Sequence, residues 1–240
     1  MNNRWCIIGT PRSGSQYVAQ IIAGTIKQYV NCHVYDMLEP FTENQPYKPI
    51  LTNDKAIQHS EQVDGNLLLT DRINNVISVL MEGDPEQPLV VKLFPYDYLL
   101  PHLDKILKVL HDCGFEFMIL KRNDIKKQLL SHAVAHKTHN WNSFYGNGIL
   151  NSSVMIDGEG FRTIYWAYMN LKGFDGILRI FNLTNLPVIH YETAIEDLSK
   201  ILQMPISILD VTVQKQLPVD TYQFIINAEE VKNFITKLTQ

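Results

Sequence analysis

"IIGTPRSGSQYVAQII", residues 7–22, joins an apolar run ending at Gly9, a tight turn ending at Gly14, and a stretch with helical periodicity. Trp5 to Gly9 reads as a short buried strand. From Ser15 to about Tyr29 the apolar positions Tyr17, Val18, Ile21, Ile22, Ile26 and Tyr29 share one helical face. The whole is a βα unit. In such a unit the backbone N–H groups of the turn and of the helix N-terminus form a natural anion site.

The turn, Gly9-Thr-Pro-Arg-Ser-Gly14, keeps the glycine spacing of the phosphate loop G-x-x-x-x-G-K-[ST]. Ser15 and Gln16 replace the lysine and hydroxyl residue that would reach the γ-phosphate and magnesium. The cation has moved inside the loop as Arg12, whose planar fork suits an oxyanion. Thr10, Ser13 and Ser15 add hydroxyls. No acidic residue closes the strands near Lys92 or Arg122 as a magnesium-holding aspartate would. The pattern therefore predicts a single phosphate group with a charged substituent, without a γ-phosphate and its metal. The competing explanation, glycines that serve only the turn, does not account for Arg12 and the three hydroxyls.

Outward from this unit, strands and helices alternate. His33 to Met37 reads as a second strand, and 39–65, with Pro40, Pro46 and Pro49, as a long irregular connection. "PLVVKLFP", 88–95, is a third strand, followed by a helix across Leu99, Leu103, Ile106, Leu107 and Leu110. "FEFMILKR", 115–122, is a fourth strand leading into a helix from about Asp124 to His136. Residues 139–160 read as a second loop, Phe161 to Phe181 as a long helix, and "LPVIHYE", 186–192, as a fifth strand with a helix across Ile195, Leu198 and Leu202. Such alternation predicts an α/β fold with a mostly parallel central sheet flanked by helices. Ligands in such sheets bind beyond the carboxyl ends of the strands.

The 240 residues, 45% hydrophobic and 19% charged, suit one domain spanning 1–240. A net charge of -4 gives no basic surface for nucleic acid, so any anion site is local. Cys6, Cys32 and Cys113 lack zinc or redox spacing, which fits a reducing, cytoplasmic setting. No run of about 18 apolar residues predicts a transmembrane segment. His132, His136 and His139 share a helical face, but no carboxylate or cysteine follows at ligand spacing, and no metal is expected. No Gly-x-Ser-x-Gly elbow is present, so Ser13 reads as a phosphate ligand rather than a nucleophile.

"TPRSGSQYV" resembles the 5′-phosphosulfate loop of the sulfotransferases that use 3′-phosphoadenosine 5′-phosphosulfate (PAPS), in their bacterial and phage branch. Their donor carries a phosphosulfate and no γ-phosphate. The resemblance implies a P-loop NTPase-like fold and a second motif, an arginine at a strand end and a serine on the next helix, that binds the 3′-phosphate. "ILKRNDIKKQLLSHAVA", 119–135, supplies Arg122 and Ser131, nine residues apart, one more than the family spacing. Either Asn123 is an extra residue or the arginine binds from a shifted position. "VYDMLEPF", "VVKLFP", "VIHYETAIEDLSKIL" and "NAEEVKNFI" are similar to further segments of the same fold.

The resemblance implies transfer of a sulfuryl group from PAPS to an acceptor hydroxyl, on a carbohydrate or small metabolite, leaving 3′-phosphoadenosine 5′-phosphate (PAP). Arg12, Ser13, Gly14, Ser15 and Gln16 would hold the 5′-side, Arg122 and Ser131 the 3′-phosphate, with Lys215 as a late contact. Glu39 is the implied base, with Asp36 as local competitor, and Lys92 would neutralise charge on the transferring group. The strand end Lys92-Leu-Phe-Pro lacks the histidine base of members acting on phenols and steroids. Two alternatives stand beside this expectation: a P-loop-like nucleotide kinase or NTPase, and a catalytically silent protein that binds PAP or PAPS.

Overall fold

Strand β1 (Arg4–Ile8) is buried along its whole length. Cys6 and Ile8 pack into one hydrophobic layer, and Trp5 and Ile7 into the opposite one. A strand buried on both faces lies inside a sheet covered by helices on both sides, and the computed structural model has that architecture. It describes residues 4–27, 33–38, 89–95, 99–138, 153–203, 206 and 221–240.

β2 (His33–Leu38), β3 (Leu89–Leu93), β4 (Glu116–Lys121) and β5 (Val188–His190) join β1 in a five-stranded sheet of order β2-β3-β1-β4-β5. Every pairing is parallel. Cys6 lies opposite Val91 and Phe117, and Ile7 opposite Lys92 and Met118. The fold is therefore α/β with an all-parallel sheet, where the sequence predicted a mostly parallel one.

One face of the sheet is covered by α1 (Ser15–Lys27) and α5 (Ala194–Leu202), through Val18, Ile21, Ile22, Leu198 and Leu202. The other face meets α2 (Leu103–Asp112) and the C-terminal half of α4 (Gly158–Ile180), through Leu103, Ile106, Leu110, Phe174 and Leu178. A third cluster joins α3 (Ile125–Thr138), the N-terminal half of α4 and α6 (Ala228–Thr239) around Leu130, Ile164, Val231 and Ile235. Among the described residues no helix is long and apolar enough to cross a membrane.

The long helix α4 starts three residues earlier than its periodicity suggests. Gly158 and Gly160 are weak helix formers, and they hide the start. Asp157 caps the helix by accepting a hydrogen bond from the Gly160 amide at 3.1 Å. A Cβ at Gly160 would fall 2.6 Å from Ile156 Cγ2, so close packing requires glycine there. The connection 39–65 and most of the loop 139–160 lie outside the described residues.

The strand order places the candidate loop. The connection after β1 leads to β2 on one side, whereas that after β4 leads to β5 on the other. β1 and β4 are adjacent, so their carboxyl ends flank a topological switch point, where open parallel sheets bind ligands. Gly9 to Gly14 leaves one strand there and Arg122 leaves the other.

Candidate functional site

The loop begins with a turn in which the Ser13 amide donates to the Thr10 carbonyl at 3.2 Å. Pro11 holds the second position, and Arg12 the third with φ of 61°. A proline followed by positive φ is the pattern of a type II turn, where glycine is the usual third residue. An arginine held there costs about 1–2 kcal/mol, and such strain concentrates at functional sites. Gly14 follows at φ 93°. A Cβ on it would fall 2.1 Å from Tyr191 Cδ2, so glycine is required by both conformation and space.

Behind the loop, Ser13 is fully buried and Ser15 nearly so. Among the described residues the Ser13 hydroxyl has no hydrogen-bond partner. An orphaned buried hydroxyl is costly, and here it sits in a loop whose following helix offers amides that it cannot satisfy itself. Lys92 is buried one residue before the carboxyl end of β3, on the α1 side, and its Nζ donates to Gln16 Oε1 at 2.6 Å. It does not snorkel to solvent. Gln16, in the position of the P-loop hydroxyl residue, thus ties the first turn of α1 to β3.

Arg122, one residue beyond β4, lies over the Tyr191 ring, 4.8 Å from its centroid. Its Nη1 donates to the Arg12 carbonyl at 3.2 Å, while its Nε is buried without a hydrogen-bond partner among the described residues. From α3, Ser131 accepts a hydrogen bond from Arg12 Nε at 2.9 Å. The two sequence motifs, 119 residues apart, therefore meet through Arg12. Ser131 is buried rather than displayed on a helix surface.

Two residues separate Arg122 from α3. Asn123 is a bend, and Asp124 is the residue that caps α3, its carboxylate accepting from the Lys127 amide at 3.0 Å. The helix begins after both, at Ile125. Arg122 and Ser131 still converge on the loop.

Sequence reasoning missed Gln128. It is buried, and its Nε2 donates to Thr10 Oγ1 at 2.9 Å and to the Pro11 carbonyl at 2.8 Å. Gln128, Ser131 and His132 follow i, i+3, i+4 spacing, which puts them on one face of α3; that pattern was the available signal. His132 is buried beside Trp166, with ring centroids 5.9 Å apart. Burial, reinforced by the positive charges of Arg12 and His136, pushes its pKa down to about 4. The histidine stripe is thus partly interior. Among the described residues, no group of three or more His, Cys, Asp or Glu side chains is arranged to hold a metal ion.

Tyr191 and Glu192, which entered only as part of a resembling segment, form a short 3₁₀ turn after β5. Tyr191 meets Tyr17 edge to face, with centroids 5.9 Å apart. Burial raises its phenol pKa, against the opposing charge of Arg122. Glu39 and Lys215 lie outside the described residues. No protein-family model matches this chain, and comparison with curated proteins finds no match.

Proposed function

We propose that this protein is a sulfotransferase that moves a sulfuryl group from PAPS to the hydroxyl of a carbohydrate or small metabolite. The observation that carries the reading is the meeting of Arg12, Arg122 and Ser131 at the β1/β4 switch point. Two phosphate-type ligand groups need two cationic anchors on one crevice, and a loop without the P-loop lysine suits a 5′-phosphosulfate. The orphaned Ser13 hydroxyl and Arg122 Nε add unused donors on the same side of the sheet.

PAPS supplies the sulfuryl group and the leaving phosphate. The chain's residues position and neutralise. Arg12, Ser13, Gly14 and Ser15 hold the 5′-side with the α1 N-terminus, and Gln16 keeps Lys92 close to the loop. Arg122 and Ser131 hold the 3′-phosphate, and Lys215 is assigned a supporting contact from sequence alone. Glu39 is assigned the role of base that takes the acceptor proton. In-line transfer gains most from such positioning, because it aligns acceptor and leaving oxygens before reaction.

The test is a thermal-shift titration with PAP beside magnesium-ATP, on wild type and Arg12→Ala. A ligand that binds only the native state raises Tm as its concentration passes Kd. PAP is expected to stabilise wild type and to lose most of that effect in Arg12→Ala. Stabilisation by magnesium-ATP and not by PAP would replace this reading with the kinase one. PAP binding with no sulfate transfer to any hydroxyl acceptor would identify a silent binding protein.

A further inference from the structure

We propose that Glu192 is a positioning residue that preorganises Arg122; this rests on the functional reading above. Glu192 Oε2 accepts from the Asn123 amide at 3.1 Å and Oε1 from the Asp124 amide at 3.2 Å. Both amides follow Arg122 directly. They precede α3, whose own capping carboxylate, that of Asp124, is already engaged with Lys127. One carboxylate thus holds both residues between Arg122 and α3, and its negative charge sits favourably at a helix N-terminus.

The neighbouring residue completes the hold. Tyr191 lies under the Arg122 guanidinium and against Gly14. The turn carrying both is fixed in turn by Asp197, whose Oδ2 accepts from the His190 amide and the Thr193 hydroxyl, each at 2.9 Å. The Arg122 guanidinium therefore rests on a ring, and the backbone that follows it is held by a carboxylate. The same carboxylate occupies the amides before α3, so a phosphate is directed to the Arg122 and Ser131 side chains instead.

The experiment compares PAP with adenosine 5′-phosphate, which lacks only the 3′-phosphate, by calorimetric titration of wild type, Glu192→Gln, Arg122→Ala and the double variant. Glu192→Gln keeps the size and one acceptor but brings an amide donor against an N–H. The expected result is about a fivefold loss of PAP affinity, the scale of about 1 kcal/mol. Adenosine 5′-phosphate affinity should be unchanged, and Arg122→Ala should suffer no further loss when Glu192→Gln is added. Equal weakening of both ligands, or no weakening, overturns the positioning role. Amide hydrogen exchange at Asn123 and Asp124, read without ligand, should accelerate in Glu192→Gln, and unchanged exchange overturns the clamp even if PAP affinity falls. Should Glu192→Gln fold poorly, Glu192→Asp, which keeps the charge at shorter reach, is held to the same ratio of affinities. If wild type binds no PAP, the functional reading falls and this inference with it; PAP binding with an unmoved ratio removes this inference alone.

Discussion

Arg4 and Arg122 stand at opposite ends of the central β1–β4 pair and use the same chemistry. Arg4 lies over the Phe115 ring at 5.4 Å and donates through Nη1 to the Cys113 carbonyl at 2.8 Å. Arg122 lies over the Tyr191 ring at 4.8 Å and donates through Nη1 to the Arg12 carbonyl. Arg4, 4% exposed, is built into the wall of the amino end. Arg122 retains a buried Nε without a hydrogen-bond partner among the described residues. The two arginines differ in the end of the strand pair they occupy, and the proposed ligand-binding role goes to the one at the carboxyl end. At the carboxyl end the connections after β1 and β4 diverge, which is where open parallel sheets bind ligands.

The sharpest way to break this comparison is Gly14→Ala. At φ 93° and with Tyr191 in the way, the added Cβ should destabilise the fold by about 4 kcal/mol, combining backbone strain and overpacking. Urea unfolding would read it. A loss under about 1 kcal/mol would mean that Tyr191 is free to leave, and that the carboxyl end is not tightly built.

Acid provides the next largest effect. His132 has a folded pKa of about 4, below the ordinary 6.5, so between those values the unfolded chain binds more protons. Its contribution is therefore full above pH 6.5, declines as pH falls towards 4, and is gone below. The decline is about 3 kcal/mol. Unfolding free energies of wild type at pH 7, 5.5 and 4.5 should show it, and His132→Phe should flatten that part of the profile.

The smallest effects sharpen the contrast directly. Arg4→Ala should cost about 2 kcal/mol of stability, because it removes the hydrogen bond to the Cys113 carbonyl and the packing on Phe115, yet leave PAP affinity unchanged. Arg122→Ala should lower stability by about 1 kcal/mol or less and weaken PAP binding at least about tenfold, the loss of a charge-assisted hydrogen bond. Matching effects of the two variants on both readouts would erase the distinction between the two ends.

The parts of the site legible in the sequence were the local ones. Arg12, Ser13, Gly14 and Ser15 belong to one turn, and glycine spacing at a strand-to-helix junction is a covalent signature. β1 and β3 were legible because a strand buried on both faces reads as a continuous apolar run. Gln128 left only a faint signal, its shared helical face with Ser131 and His132, since a glutamine on a helix is ordinarily solvated and its two acceptors, in Thr10 and Pro11, lie more than a hundred residues away. Glu192 entered only within a resembling segment, because nothing local marks the amides it binds.

The sequence by itself determined the α/β class, the strand-turn-helix loop with P-loop glycine spacing and the absence from it of the P-loop lysine, because periodicity and spacing operate over a few residues. Tertiary structure decided which strands are neighbours. It alone brought Arg122 and Ser131 to Arg12, put Tyr191 against Gly14 and gave the amides before α3 to Glu192. Those contacts depend on the order β2-β3-β1-β4-β5, which is set by packing two hydrophobic layers on one sheet, a long-range balance that no short stretch encodes.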